Sequence, residues 1–271
     1  MPKPTTKSTR RLLLSVVIPA YRQERTITAD VRRILQTLEE GLFQYDYEII
    51  VVVDGQADKT LEHAKKVKSA KIKVIGYDKN HGKGYAVRYG MARAKGDLVA
   101  FIDAGQDISP KGIMMLLAHM EWYDADIIVG SKRHPVSQVN YPLRRKMISF
   151  LSQVLIKALF NLNVRDTQSG LKIFKRKVLE DVLPRLLVKK YAMDIEILAV
   201  AKSLGYRRIY EAPIEVHFDR ATSSVGLQTI FYTLIDTLAI FYRLMILRYY
   251  SNSNKRKWIY DPDLNFRINV G

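Results

Sequence analysis

Five short apolar runs set the frame for this chain: Leu12–Ile18, Tyr47–Val53, Ile72–Ile75, Leu98–Ile102 and Ala125–Val129. Each stops at Pro19, Asp54, Gly76, Asp103 or Gly130, and segments of helical spacing lie between them. In Thr26–Glu40, Ile27, Val31, Ile34, Leu35 and Leu38 fall on one helical face, and Gly41 ends the run. Leu61–Ser69, Gly84–Ala94 and Lys111–Tyr123 read as the next helices. Strands that are apolar on both faces, alternating with helices, predict an α/β fold with a mostly parallel sheet covered on both sides. Ligands bind such sheets beyond the carboxyl ends of the strands. Asp54, Asp103 and Lys132 all follow strand ends, so one rim should carry all three.

The second half has a different texture. Leu143–Phe160 reads as an apolar and basic helix, Lys172–Phe174 as a short strand, Met193–Leu204 as a helix and Arg207–Val216 as a strand. Gly226–Tyr250 is a long, mostly apolar helix, and Ser251–Gly271 a polar and aromatic tail. A chain of 271 residues can bury one large α/β core and carry an appendage. The expected division is a disordered basic tail (1–11), one catalytic-type domain (12–225), an amphipathic interfacial helix (226–250) and a C-terminal tail (251–271). Leu12–Ile18 is too short for a signal core and ends at Pro19, so it reads as a buried strand.

Lys and Arg outnumber Asp and Glu by 44 to 27, a formal net charge of +17. That surplus favours a polyanionic partner: nucleic acid, an anionic membrane or a phosphorylated substrate. No cysteine is present, which excludes disulfides and thiolate metal sites. The basic residues are spread along the chain and build no recognisable nucleic-acid module, which speaks against nucleic acid as the partner.

Chemistry concentrates at the strand ends. In Ile18-Pro-Ala-Tyr-Arg-Gln-Glu24, Tyr21 can stack on a base and Glu24 can accept from ring or ribose donors; a plain connecting turn is the alternative. In Val53-Asp-Gly-Gln-Ala-Asp58, Asp54 can approach a nucleotide, while Asp58 reads as a helix cap. Asn80-His-Gly-Lys-Gly-Tyr-Ala86 lets the backbone approach a ligand, with Lys83 facing phosphate, but it lacks the spacing of a P-loop. In Phe101-Ile-Asp-Ala-Gly-Gln-Asp107, Asp103 and Asp107 are hard oxygen ligands suited to Mg²⁺ or Mn²⁺. Asp107 can instead cap the following helix. Asp103 needs some partner, because a carboxylate leaving a buried strand is costly unpaired. Asp194 and Glu196 stand at a helix start, where compensation of the helix dipole accounts for both.

In order and spacing these segments resemble family 2 glycosyltransferases of the GT-A fold, from about Leu12 to about Val225. The polyprenyl and dolichyl phosphate group is the nearest, and its glucose branch nearer than its mannose branch. The segments Asn80–Met91, Asp166-Thr-Gln-Ser-Gly-Leu-Lys172 and Met193-Asp-Ile-Glu-Ile-Leu198 carry most of the likeness. The resemblance implies an inverting transfer from UDP-glucose or, second, GDP-mannose to polyprenyl or dolichyl phosphate, with Mg²⁺ or Mn²⁺. It implies that Pro19, Tyr21, Glu24 and Asp54 hold the nucleotide and that Asp103 contacts donor and metal. Lys132 or Arg133 falls near phosphate, Arg144, Arg145 and Arg220 meet the lipid headgroup or diphosphate, and Asp166 and Gln168 line the acceptor side. Two positions depart from the family pattern: Val53 replaces the first Asp of Asp-Asp-Gly, and Gly105 the second Asp of Asp-x-Asp. Asp107 is therefore expected to share the metal with Asp103. A glycan hydroxyl acceptor, or a non-catalytic basic scaffold, are the rival readings.

Ala221–Ile235 is uncharged but shorter than the roughly 20 residues that span a bilayer. Asp236 and Arg243, seven apart, fall on one face with Thr229, and the remaining surface is apolar. That pattern predicts a helix lying in the interface on the cytoplasmic side of a membrane, flanked by Arg248 and Lys255-Arg-Lys257 for anionic lipid. Packing on the domain, or a homo-oligomer, is the alternative use of the same apolar surface.

Overall fold

The structure is a computed structural model that describes residues 10–105, 108–137, 143–216, 227–252, 254 and 257–270, without the side chains of 143–149, 227 and 269–270. Its centre is a seven-stranded sheet. The strands are β1 (Leu12–Ala20), β2 (Tyr45–Asp54), β3 (Ile72–Tyr77), β4 (Leu98–Ile102), β5 (Ile127–Ser131), β6 (Leu171–Lys175) and β7 (Ile209–Pro213). Their order is β3-β2-β1-β4-β6-β5-β7, and all neighbours are parallel except β6, which runs antiparallel to both β4 and β5. The expected mostly parallel α/β sheet is therefore present. Because β6 is reversed, its beginning lies at the same rim as the ends of the parallel strands. The loop before Leu171 is thus delivered beside Asp103.

Eight helices flank the sheet among the described residues: α1 (Ile27–Gly41), α2 (Thr60–Ala64), α3 (Lys83–Arg93), α4 (Gly112–Trp122), α5 (Leu143–Phe160), α6 (Arg176–Val182), α7 (Met193–Ser203) and α8 (Leu227–Phe241). Strand alternation sorts the core into two layers. Val16 and Ile18 of β1 join Ile27, Val31 and Ile34 of α1 and Ile113 and Leu116 of α4. Val17 points the other way, into a layer with Val87 and Met91 of α3, Ile197 and Leu198 of α7 and Ile240 of α8. The expected Leu61–Ser69 helix contracts to α2, because Lys65, Lys66 and Lys68 leave little apolar surface to pack.

The C-terminal segment departs from a plain helix and tail. After α8 the chain makes a π-helical turn at Tyr242–Ile246, then buries Tyr249 and Tyr250. Lys257–Asp261 (β8) and Phe266–Val270 (β9) form an antiparallel hairpin. Its turn is set by the Asp261 carboxylate, which accepts the N–H groups of Asp263 and Leu264 at 2.9 and 3.0 Å, and by Asn265 in the left-handed region. Helix α8 is half docked. Thr237 and Ile240 are buried and Phe241 meets Phe160 edge-on, whereas Phe231, Leu234, Ile235 and Leu238 face outward. Phe150, Leu151 and Val154 of α5 are exposed as well. Among the described residues one helix, Gln228–Ile246, is long and apolar enough to cross a membrane by length and composition, and 11% of it is buried.

Candidate active site

The site is assembled by carboxylates that organise loops. Asp54, at the end of β2, is 2% exposed. One of its oxygens accepts the Tyr77 hydroxyl at 2.9 Å and the His81 N–H at 2.8 Å. The other accepts the Asn80 side-chain amide and the Gly82 N–H, both at 2.9 Å. Four donors match the lone pairs of an ionised carboxylate, so Asp54 compensates its burial by folding the β3–α3 loop around itself. Gly82 sits at φ +100°, and a Cβ there would stand 2.7 Å from the Lys189 carbonyl oxygen. Only glycine accepts both conditions without strain.

The next residue in that loop, Lys83, starts α3 and reaches the rim of the sheet. Its ammonium lies 2.8 Å from Oδ2 of Asp103 and 3.7 Å from Oδ2 of Asp194. The other oxygen of Asp194 accepts from Lys172 at 2.6 Å, and Lys172, fully buried, also donates to the Ser169 carbonyl at 2.6 Å. The result is a chain of alternating charges, Asp103–Lys83–Asp194–Lys172, from the cavity into the core. Burial opposes the charge on Lys83, but Asp103 and Asp194 together outweigh it and hold its pKa above the ordinary lysine value. Burial wins at Lys172, whose pKa is lowered although Asp194 pulls the other way. Gly170 is needed beside this chain, since a Cβ would fall 2.2 Å from the Asp103 carboxylate. The Asp103 N–H donates to the Gly170 carbonyl at 2.8 Å, which fixes the carboxylate at the rim.

These groups border a cavity of about 500 Å³. Pro19, Tyr21, Asp54, Lys83 and Asp103 line it from the strand ends, Lys190 and Tyr191 from the loop before α7, and Thr229, Tyr232, Thr233 and Asp236 from α8. Lys190 lies 5.7 Å from the Tyr232 ring and bridges the last two walls. Of Asp54, Asp103 and Lys132, expected on one rim, the first two line the cavity and Lys132, just past the end of β5, does not; the cavity is of the size that small-molecule sites adopt.

Other expected residues lie elsewhere. Glu24 is outside the cavity lining, where its carboxylate accepts the Lys59 N–H at 3.2 Å and its carbonyl meets His63 Nδ1 at 2.6 Å. Asp166 accepts the Lys132 N–H at 3.1 Å, and its own N–H donates to Glu211 at 2.9 Å, so these two residues meet near β5 and β7. Gln168 is exposed, and Lys132, Asp166 and Gln168 do not line the cavity. Asp107, Arg220 and the side chains of Arg144 and Arg145 lie outside the described residues.

A divalent ion can be tested against what is present. Oδ1 of Asp103 is buried without a protein partner. Among the described residues no three His, Cys, Asp or Glu side chains gather as a metal cage. One hard carboxylate oxygen with no cage suits Mg²⁺ or Mn²⁺, which bind through one or two carboxylates and complete their shell with substrate phosphates and water.

Three participants escaped the sequence. Asp194 and Glu196, assigned there to the helix dipole, are 3% and 0% exposed and have specific partners. Glu196 accepts the Val188 N–H at 2.9 Å and the Tyr250 hydroxyl at 2.7 Å, which ties the end of the C-terminal helix to α7. Lys172 is the third. The available signal was two acids interleaved with Met193, Ile195, Ile197 and Leu198 on a helix apolar all round, where neither could reach water.

The family model "Glycosyl transferase family 2" matches residues 15–183. The dolichyl-phosphate beta-glucosyltransferase of Drosophila melanogaster is 31% identical over 215 residues, 74% of this chain and 66% of that protein. The human protein of the same name is 31% identical over 208 residues, 70% of this chain and 63% of its own length. This chain therefore spans a little under two thirds of the length of these two relatives. Mannosyl-3-phosphoglycerate synthase from Rubrobacter xylanophilus superposes with a TM-score of 0.66 at 17% identity, covering 96% of this chain and 86% of that one. Glucosyl-3-phosphoglycerate synthase from Mycobacterium tuberculosis, crystallised with Mn²⁺, uridine diphosphate and phosphoglyceric acid, gives 0.62 at 22% identity, covering 96% and 87%. At these identities the likeness establishes the fold, a GT-A glycosyltransferase sheet.

Proposed function

This chain belongs to glycosyltransferase family 2, and on that premise we propose that it moves a hexose, glucose before mannose, from a nucleotide sugar to polyprenyl or dolichyl phosphate at the cytoplasmic face of a membrane. One observation carries the reading. The cavity that holds Tyr21, Lys83 and Asp103 is walled by α8, a helix whose outer face is apolar and exposed. A polar donor site and a lipid-facing surface are thereby two sides of one wall.

The roles follow from placement. Tyr21, 39% exposed beside Pro19, offers a ring face to the base. Asp54 holds the glycine-bearing loop that presents Lys83 to the diphosphate. Transfer to a phosphate needs no strong base, because the acceptor is already anionic at neutral pH. What the protein must supply is alignment and stabilisation of the departing nucleotide diphosphate. Lys83 and Lys190 provide positive charge within the cavity. Asp103, with Asp107, would hold Mg²⁺ or Mn²⁺, which when bound acts as a Lewis acid on the diphosphate. Family resemblance supports inversion at the transferred carbon. Lys132, Asp166 and Gln168, at the neighbouring stretch of rim, are proposed for the acceptor side, and Arg144, Arg145 and Arg220 for the headgroup.

The membrane part rests on side-chain sorting. A helix crossing the bilayer would carry Asp236 into hydrocarbon, at a cost of about 3 kcal/mol or more. In this fold Thr229, Thr233 and Asp236 face the cavity while Phe231, Leu234, Ile235 and Leu238 face outward. That arrangement suits a helix lying in the interface.

The test is reconstitution in anionic vesicles containing polyprenyl phosphate. A panel of nucleotide sugars is supplied with Mg²⁺ or Mn²⁺, and lipid-linked sugar is the readout. Product from UDP-glucose, lost with chelator, is the expected result. Glycosylation of a glycan hydroxyl with no lipid-linked product would overturn the acceptor assignment.

A further inference from the structure

The cavity has two chemically different walls, and the function proposed above gives a clear use to just one of them. On the rim wall Asp54 is saturated by its loop and Lys83 lies between Asp103 and Asp194, and the one unpartnered oxygen of these groups, Oδ1 of Asp103, has the divalent ion as its proposed use. On the α8 wall, Thr229, Thr233 and Asp236 sit at i, i+4 and i+7, one stripe on one side of the helix. The Thr233 hydroxyl donates back to the Thr229 carbonyl at 2.7 Å, which leaves its lone pairs toward the cavity. Asp236 has no protein partner among the described residues, and it is half-buried in a helix that is otherwise apolar on its exposed side.

A carboxylate is kept in such a position at a cost, so its use should lie in what fills the cavity. Phosphate is the wrong ligand, since two anions repel. A base is already served by the ring of Tyr21. The remaining part of a nucleotide sugar is the sugar, a neutral ring rich in O–H donors. A carboxylate can accept two hydroxyl hydrogens at once, and such charge-assisted bonds are roughly twice as strong as neutral ones. The wall is also held in place. Ile240 and Thr237 are buried one turn on, and Tyr250 anchors the end of the segment to Glu196 at 2.7 Å.

We propose that the stripe on α8, with Asp236 at its C-terminal end, is the subsite that reads the hydroxyl groups of the transferred hexose, so that the helix facing the membrane also selects the sugar. The proposal rests on the nucleotide-sugar reading and deepens it. Its consequence is a division of labour: the strand-end wall binds nucleotide and diphosphate, and the helix wall binds the sugar.

Calorimetry on the full chain in detergent, with Mn²⁺, separates these. Free UDP and UDP-glucose are titrated into wild type, Asp236→Asn and Asp236→Glu, with GDP and GDP-mannose as the second pair. The expected outcome is an unchanged nucleotide affinity in Asp236→Asn, within twofold, and at least a tenfold weaker affinity for the nucleotide sugar. Asp236→Glu should recover part of it. The retained nucleotide binding reports that the variant is folded. Equal losses for nucleotide and nucleotide sugar would put Asp236 at the diphosphate or metal end and overturn the proposal. No loss for either would overturn it too. Wild type that binds neither nucleotide sugar would end the donor reading itself, and the subsite with it. Wild type that binds while Asp236→Asn binds equally well removes the subsite alone.

Discussion

On the strand-end wall of the cavity each charged group that reaches the rim is bonded to another part of the protein; on the α8 wall Asp236 has no partner among the described residues. The two walls are built from the same kinds of side chain and differ in what those side chains are occupied with. Asp103, Lys83, Asp194 and Lys172 form a run of opposite charges whose inner members are buried. Such a run has paid its desolvation during folding and arrives at the ligand already aligned, which is the condition for electrostatic stabilisation of a departing group. The helix wall keeps its hydrogen-bonding capacity for whatever enters. Alignment and recognition are thus assigned to different parts of the fold: the sheet rim with the first turns of α3 and α7 for the first, the half-docked α8 for the second.

The sharpest way to break this contrast is to cut the charge run at its buried end. Lys172→Met leaves Asp194 buried beside Lys83, whose ammonium is 3.7 Å away. Removing one member of a buried pair costs about 3–5 kcal/mol. Chemical denaturation should therefore show Lys172→Met as strongly destabilised, while Asp236→Asn unfolds near wild type. Equal stabilities for the two would mean that the strand-end wall is no more preorganised than the helix wall. Next in size is Asp103→Asn. It keeps the shape of the rim but removes the charge that faces donor and ion, so transfer should fall by about 10²–10³. The readout is kcat for lipid-linked product, with a melting curve as control. A rise in KM with kcat unchanged would show Asp103 to be a group that binds substrate and transition state equally.

The sheet was legible and the helix wall was not, for a physical reason. A buried parallel strand shows itself as a local apolar run, and a rim residue as the polar residue that ends it, so Asp54 and Asp103 could be placed together from sequence alone. The reversal of β6 has no local signal, because Leu171–Lys175 reads the same in either direction. Asp194 and Glu196 carry two meanings in sequence. A carboxylate in a first helical turn satisfies the helix dipole whether or not it meets Lys172 or Tyr250, and only packing decides. Helix α8 is visible as two-faced through Thr229, Asp236 and Arg243, but the pattern names no partner for the polar face, and the fold turns Thr229 and Asp236 to the cavity. Glu24 illustrates how a loop residue's partner escapes the sequence. Its carboxylate can accept from ring or ribose donors, and in the fold one of its oxygens accepts the backbone N–H of Lys59 outside the cavity lining.

The anchor of the helix wall sharpens the comparison further. Tyr250→Phe removes the hydroxyl that donates to Glu196 and leaves that carboxylate, fully buried, with the N–H groups of Leu187 and Val188. The expected cost is about 1–2 kcal/mol, smaller than for Lys172→Met. Hydrogen exchange should locate the loss in α8 and the Tyr242–Ile246 turn while β1, β2 and β4 keep their protection. Uniform loss across the sheet would show that the two walls are one cooperative unit, not two.

The smallest effect is a pH dependence at the same anchor. Burial pushes the Glu196 carboxyl above its ordinary value of 4.5, against the opposing pull of the Tyr250 hydroxyl, the Val188 and Leu187 N–H groups and the Arg243 charge. Arg88 faces it too, and burial lowers the pKa of that guanidinium. A carboxyl with a raised native pKa binds its proton more tightly folded than unfolded. Its contribution to stability is complete below the ordinary value and is lost as pH rises through the native one. Melting temperatures of wild type and Glu196→Gln, measured from pH 4 to pH 8, should therefore diverge, with the wild type losing ground as pH increases. A constant difference would mean that Glu196 binds its proton equally well folded and unfolded, with Tyr250 and the two N–H groups cancelling its burial and leaving it ionised at neutral pH. The helix wall would then be secured by a charge, as the strand-end wall is, and the contrast between them would be confined to Asp236.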